Sequence, residues 1–406
     1  MTNTLTLNTN TLFKQPEYAL LRQSMGYSDK KTLPDPRIPE HDIDWTYLLD
    51  LAEKHGLSPL LFLFLNEHNQ SVPDTILDQL RERYQANALR NRILTTELIE
   101  VLKLFNDHEI TPLAYKGPSL TLHAYDDLSQ RQFGDLDILI NEEYVQKASE
   151  LLKQRHYHRA IPELTTRQEQ SFIHTGHEHT FISPDQLIHI DLHWSLSNRR
   201  FPFLMATDTL FKRAQNCQWQ GSNINHIATQ DLLLILCMHA NKDLWRKLIW
   251  ICDIDRIIRK YDNIDWKLLV QQAKYAHCEK MLYIALRFSY DILKTPIPDE
   301  ILKSASIIAP IKQGEKVLQI SMRYYQPVKT YLQCMAIQPY ILSTCDTWSD
   351  RILYISRSLV TPTECDMMKF NIPPTLHFLY YFTTFVRKIS FCTTRFFKRL
   401  IFNREQ

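Results

Sequence analysis

The residues best placed to do chemistry in this chain are Asp135 and Asp137, within Arg131-Gln132-Phe133-Gly134-Asp135-Leu136-Asp137-Ile138-Leu139-Ile140. The alternation reads as a β-strand, whose side chains point to opposite faces in turn. The two carboxylates then share one face, while Leu136, Ile138 and Ile140 enter a core. Carboxylates this close repel unless something positive sits between them, and a divalent metal is the usual answer. A third oxygen ligand is on offer in Ile188-His189-Ile190-Asp191-Leu192-His193-Trp194, where Asp191 shares a face with His189 and His193. Three carboxylates suit Mg²⁺ or Mn²⁺ better than zinc.

Upstream, Pro112-Leu113-Ala114-Tyr115-Lys116-Gly117-Pro118-Ser119-Leu120 reads as a strand, a tight turn and the start of a helix. Such a turn can hold a phosphate against backbone N–H groups at the helix N-terminus. Pro118 contributes none, so the Ser119 hydroxyl and the Lys116 ammonium would add the donor and the counter-charge. The chain has only seven glycines, and Gly117 and Gly134 both fall between Pro112 and Ile140, where backbone freedom is expected. Together these parts describe phosphoryl or nucleotidyl transfer, with two metals clamping a triphosphate and pyrophosphate leaving in line. In that scheme Asp135 and Asp137 hold both metals. Asp191 holds the metal that activates the acceptor and serves as its general base.

Gly117-x-Ser119, Gly134-Asp135-Leu136-Asp137 and a later apolar-Asp-apolar strand resemble the DNA polymerase β-type nucleotidyltransferase superfamily. More narrowly, several features resemble an uncharacterised bacterial nucleotidyltransferase family of the kind encoded near exopolysaccharide and lasso-peptide genes. They are Leu113-Ala114-Tyr115-Lys116-Gly117, Arg131-x-x-Gly134-Asp135-Leu136-Asp137, Asp191-Leu192-His193-Trp194, and Leu236-x-x-His239 with Trp245, Leu248 and Asp253. The resemblance runs from about residue 75 to about residue 390. It implies a nucleotidyltransferase fold and an NTP substrate, ATP foremost, whose nucleoside monophosphate passes to an acceptor hydroxyl or phosphate. Lys116, Gly117, Ser119, Arg131 and Gly134 are the expected nucleotide-binding residues. His193, His239 and Lys242 are candidate substrate contacts. Pro118 departs from the superfamily pattern, where a small residue is usual, and shifts the phosphate grip towards Lys116 and Ser119.

The surrounding elements must position these residues. The 406 residues allow two or three domains, and 44% hydrophobic with 23% charged content is that of a soluble globular protein. A net charge of +2 gives no strong pull on nucleic acid, so no specific nucleic acid partner is expected. Eight scattered cysteines without a CxxC pair indicate a reducing compartment. The polar N-terminus lacks a secretory layout, and no apolar run reaches the roughly 18 residues of a membrane span, which points to the cytoplasm. From Ile43 to about Glu67 helical spacing is broken by Gly56 and Pro59. Pro73-Asp74 then opens a long helix, uninterrupted by glycine or proline before Pro112, that braces the motif strand. Its arginines 81, 83, 90 and 92 form a solvated face or reach a phosphate.

Strands are predicted at 112–116, 134–140, 156–161, 177–183 and 187–194, with helices at 118–126, 142–155 and about 165–174. Ser183-Pro184-Asp185-Gln186 makes the last two strands a hairpin. After about Thr229 the spacing is that of a helical bundle. The expectation is an α+β protein with a mixed-sheet catalytic core at 111–228. It is flanked by an N-terminal helical segment, 1–110, and a C-terminal bundle, 229–406, ending in a basic aromatic tail.

Several readings stay open. The tail from Leu376 to Phe402 is either a helix packed on the bundle or a peripheral contact with a membrane or partner. Arg131 either steers a triphosphate or pairs with Asp126 or Asp127. His174, His177, His179, His189 and His193 raise a zinc alternative without a closed tetrahedral spacing. His239, Lys242 and Trp245 are either buried or a substrate-facing wall, and Trp194 reads as hairpin core. The alternative to catalysis is a catalytically inactive, nucleotide-binding regulatory or membrane-associated interaction protein on the same fold.

Overall fold

The computed structural model describes residues 12–27, 43–68, 72–162, 164–203, 205–303, 308–323, 339–369, 372–376 and 378–388. Helices come first: α1 (Pro16–Met25), α2 (Trp45–Lys54), α3 (Ser58–Glu67) and α4 (Asp74–Asp107). Asp44 starts α2 by accepting the Tyr47 N–H at 2.9 Å. Pro59 sits in the first turn of α3, where a missing N–H goes unmissed. With no breaker in its sequence, α4 runs for 34 residues.

Among the described residues, seven strands form one mixed sheet in the order β3-β4-β5-β2-β1-β7-β6. They are β1 (Leu113–Ala114), β2 (Asp135–Leu139), β3 (His158–Arg159), β4 (Glu178–Ile182), β5 (His189–His193), β6 (Gln215–Trp219) and β7 (Ser222–His226). Strand β2 lies at the centre, antiparallel to β1 and parallel to β5. Helix α5 (Gly117–Ala124) follows β1, α6 (Val145–Gln154) follows β2, α7 (Thr166–Thr175) precedes β4 and α8 (Thr207–Arg213) precedes β6. The predicted hairpin is present as β4–β5.

The sequence pattern predicts no strand after residue 194, yet β6 and β7 form a second hairpin at the sheet edge. Gln220 and Gly221 both take positive φ, 49° and 78°, which matches the twist of a two-residue hairpin turn. The apolar alternation that would announce these strands is thin: Trp219 and Ile224 are buried amid glutamines and asparagines.

Adjacent residues on a strand face opposite ways, and two cores result. Ala114, Leu136, Ile138, Ile190 and Leu192 enter one core, with Leu94, Leu98, Leu102 and Phe105 of α4. Leu113, Tyr115 and Leu139 enter the other, with α1–α3 and the bundle helices α9 (Thr229–Lys242), α10 (Ile249–Lys260), α11 (Trp266–Tyr275) and α12 (Glu279–Leu293). The N-terminal helices and the bundle therefore share a core. Asp135 and Asp137 lie on the Leu139 face, so the site opens where the sheet meets the bundle. Beyond α12 come α13 (Ile308–Arg323), α14 (Trp348–Val360) and a last helical stretch at 378–388. Cys217, Cys237, Cys252, Cys278 and Cys345 are free thiols. No described helix is long and apolar enough to cross a membrane.

Candidate active site

Parallel pairing of β2 with β5 sets Asp135 opposite His189, Asp137 opposite Asp191 and Leu139 opposite His193. Asp137, Asp191 and His193 each offer a ligand atom within 4.8 Å of the others, the one such group among the described residues. The expected trio had Asp135 in place of His193. Asp135 lines the same cleft, at the exposed start of β2, but stands outside this tight group.

Hydrogen bonds fix the cluster. Lys116 Nζ donates to Asp137 Oδ1 at 2.8 Å, and His193 Nε2 lies 3.1 Å from the same oxygen. Across the β4–β5 ladder Thr180 faces Asp191, and its Oγ1 donates to Asp191 Oδ1 at 2.7 Å. Glu178 faces His193, whose buried Nδ1 lies 3.2 Å from Glu178 Oε2 without an aligned hydrogen bond. Thr180 and Glu178 were not among the expected site residues. Their signal was the hairpin itself, because the turn sets which residues of β4 oppose β5.

The electrostatics follow from this packing. Burial works against charge on Asp137, but Lys116 and His193 hold its carboxyl well below the usual range. Its charge is the main reason that the Asp135 carboxyl is raised. Burial lifts Asp191 to about 6, against the Thr180 hydrogen bond and with help from Asp137. Burial also opposes the Lys116 charge, yet Asp137 beside it keeps the ammonium protonated well beyond its ordinary range. Two carboxylates and an imidazole converging, with Asp191 and nearby Asp135 pushed towards the acid form, fit a divalent metal that would relieve the repulsion.

The turn before α5 behaves differently at each residue. Gly117 takes φ +51°, and a Cβ there would lie 2.8 Å from the Asp135 carbonyl oxygen, so only glycine lets the turn pack on β2. Gly134 has open space around it, and the requirement for glycine rests on Gly117. Ser119 is buried; its Oγ donates to the Ala114 carbonyl at 3.2 Å and its N–H to the Lys116 carbonyl at 3.1 Å. Its hydroxyl is directed inward.

Arg131 pairs with neither Asp126 nor Asp127. Its Nε and Nη2 donate to the two carboxylate oxygens of Asp253 on α10 at 2.8 and 2.9 Å, and the Tyr125 hydroxyl donates to the same group at 2.7 Å. Arg131 is not among the residues lining the cleft. The loop it belongs to is gripped from α4. Asn91 Nδ2 donates to the Leu128 and Arg131 carbonyls, Asn87 Nδ2 to that of Ser129, and Arg90 to those of Phe133 and Gly134. Asn87, Arg90 and Asn91 thus hold backbone, while arginines 81, 83, 90 and 92 are all exposed, as the solvated-face reading expects.

The cleft holds about 210 Å³. Apolar Leu196, Phe203, Ile235 and Met238 line it together with the acidic residues, and α9 contributes His239 and Lys242, followed by Asp243. His239 Nδ1 lies 2.9 Å from Asp243 Oδ2. Trp245 belongs instead to the core: fully buried, it donates its indole N–H to the Tyr340 hydroxyl at 2.8 Å. Trp194 is likewise buried and bonds to the Ile173 carbonyl. Of the other histidines, His179 pairs with Glu169 and stacks on Phe172, and His174 is exposed beside Glu142.

Residues 41–294, more than half of the chain, match the model of a family described as uncharacterised nucleotidyltransferase. No curated protein matches the sequence. The crystal structure of an antigenic nucleotidyltransferase-like protein from Paracoccidioides brasiliensis is similar over 52% of this chain and 92% of that one. The identity is 15% and the TM-score 0.33. By the extent of the family match, which takes in the acidic strands, the glycine turn and α9 to α12, the chain belongs to the uncharacterised nucleotidyltransferase family.

Proposed function

We propose that the protein transfers a nucleoside monophosphate from an NTP, ATP foremost, to a hydroxyl or phosphate of an acceptor, with Mg²⁺ or Mn²⁺ bound by Asp137, Asp191, His193 and Asp135. The observation that supports this most directly is the pairing of Asp137 with Asp191 across parallel strands, with Lys116 on Asp137. When bound, the divalent cation supplies charge stabilisation at the transferring phosphoryl group and acidifies the attacking hydroxyl.

The rest is done by the chain itself. Asp191 Oδ1 is engaged by Thr180, so Oδ2 is the atom that takes the acceptor proton. The acceptor oxygen bonds to the α-phosphorus, the bond from that phosphorus to its bridging oxygen breaks, and pyrophosphate leaves. Lys116, with Lys242 from α9, meets the negative charge of the phosphates. The apolar side of the cleft, with Phe203 stacked on Phe201 at 5.4 Å between ring centroids, takes the base.

The test is incubation with each α-labelled NTP in turn, with Mg²⁺ or Mn²⁺ and a cell lysate as the source of acceptor. Label transfer and pyrophosphate release should both disappear in Asp137→Ala and Asp191→Ala. Nucleotide binding without pyrophosphate release under every acceptor would overturn the proposal in favour of a regulatory nucleotide site.

A further inference from the structure

The far end of the molecule carries apolar surface that a folded chain would ordinarily bury. On α14, Trp348, Ile352, Ile355 and Leu359 recur at i, i+4, i+7 and i+11, which puts them on one helix face. All four are exposed, Trp348 by 75% and Ile352 by 67%. The helix at 378–388 repeats the pattern. Phe378, Tyr381, Phe382, Phe385 and Val386 are exposed on one side, Phe378 by 64% and Phe382 by 63%, while Tyr380 and Thr384 are buried on the other. Lys388 Nζ ties the two helices together through the Ser358 and Thr361 carbonyls, at 2.7 and 3.2 Å.

The acid near these faces is buried and paired. The single carboxylate on α14, Asp350, is buried and bonded to His277, and residues 378–388 contain none. Of the cations, Arg351 lies over the Trp348 ring at 4.5 Å, while Arg387 pairs with buried Asp366 and Lys388 is held by the two carbonyls. The sequence continues, outside the described residues, with Arg395, Lys398, Arg399 and Arg404 against Glu405 alone. The whole chain carries a net charge of only +2, so this excess is local.

We propose that these two helix faces dock the protein on an anionic phospholipid bilayer. Exposed apolar surface of this extent marks an interaction site. Exposed aromatic and aliphatic side chains beside Arg351, with a basic run next in the sequence, are the composition of helices that lie in the interface of such a bilayer. A second copy of the chain is a poorer occupant, because two-fold pairing of like surfaces sets these cations against their own copies. The inference stands apart from nucleotidyl transfer and does not depend on it.

Flotation of the full chain tests it, with vesicles of phosphatidylcholine alone and with roughly 30% phosphatidylserine. The protein should float with the anionic vesicles and not with the neutral ones. Trp348→Ser with Ile352→Ser, and separately Phe378→Ser with Phe382→Ser, should each lower the bound fraction at least about tenfold. These side chains are exposed, so thermal melting should be unchanged in both variants. The proposal is overturned if the chain stays in solution with anionic vesicles, if both variants float like the parent, or if neutral vesicles bind as well. A dimer seen by light scattering that the substitutions dissociate, without flotation, would assign the surface to a second copy.

Discussion

Replacing Asp253 by leucine asks what Arg131 is for. Arg131 and Asp253 are 6% and 0% exposed, and the guanidinium makes two hydrogen bonds, at 2.8 and 2.9 Å, to a carboxylate that also accepts from Tyr125. Removing the carboxylate strands a cation beyond the reach of water and leaves a hydroxyl without its acceptor. Breaking one side of a buried pair costs about 3–5 kcal/mol. Asp253→Leu should therefore lower the urea midpoint, and lower the melting temperature by roughly 4–6 °C. Arg131→Met combined with Asp253→Leu removes the stranded charge and should regain most of the loss. Far-UV circular dichroism reads the stability, and titration calorimetry with ATP reads the site. Because Arg131 lies outside the cleft lining, the double variant should bind ATP within about threefold of the parent, a difference under 1 kcal/mol. A cost below about 1 kcal/mol for the single change would refute the buried-pair account. A folded double variant that loses ATP affinity tenfold or more would return Arg131 to the nucleotide.

Two further outcomes follow from the packing. His55 and His123 are both held down to about 4, first by burial and then by neighbouring Lys54 for the one and His226 for the other. Below their ordinary pKa of about 6.5 the unfolded chain takes protons that the folded chain refuses. Their contribution is thus complete above that pH and lost as pH falls towards 4, by at most about 3 kcal/mol each; His123→Asn should flatten the fall of the urea midpoint between pH 7 and 5, and an unchanged slope counts against it. Phe203→Ala should weaken ATP binding about 5- to 100-fold while inorganic triphosphate binds as before; equal losses for both ligands would place the base elsewhere.

The sequence made some parts plain for physical reasons. Strand β2 was legible because acidic and apolar residues alternate, and α4 because nothing between Asp74 and Asp107 can break a helix. The helical bundle and the mixed α+β character followed from the same periodicities. The β6–β7 hairpin was hidden because an edge strand needs few apolar residues and Gln220 is an unusual occupant of a left-handed turn position. Within the site, Asp191 could be picked out by its apolar neighbours, whereas the inward turn of the Ser119 hydroxyl depends on where the Ala114 carbonyl lies. The Arg131–Asp253 pair joins residues 122 apart in the chain, and no local pattern encodes such a contact. His193 was seen as a neighbour of Asp191; that it also reaches Asp137 follows from parallel pairing of β2 with β5, which is a tertiary fact.

That register also fixes the electrostatic logic of the site. Asp137 keeps its charge because Lys116 and His193 sit on it; that charge pushes Asp135 towards protonation, and adds to the burial that raises Asp191. Lys116 thus holds a position between a carboxylate and the turn at Gly117, and its ammonium cannot serve both a carboxylate and a phosphate fully. Under nucleotidyl transfer, an arriving triphosphate draws Lys116 off Asp137 and frees that oxygen as a ligand just as more negative charge enters the cleft. Affinity for the nucleotide and affinity for a divalent cation are then linked through one lysine, each raising the other, because each removes the competitor that the other faces at Asp137.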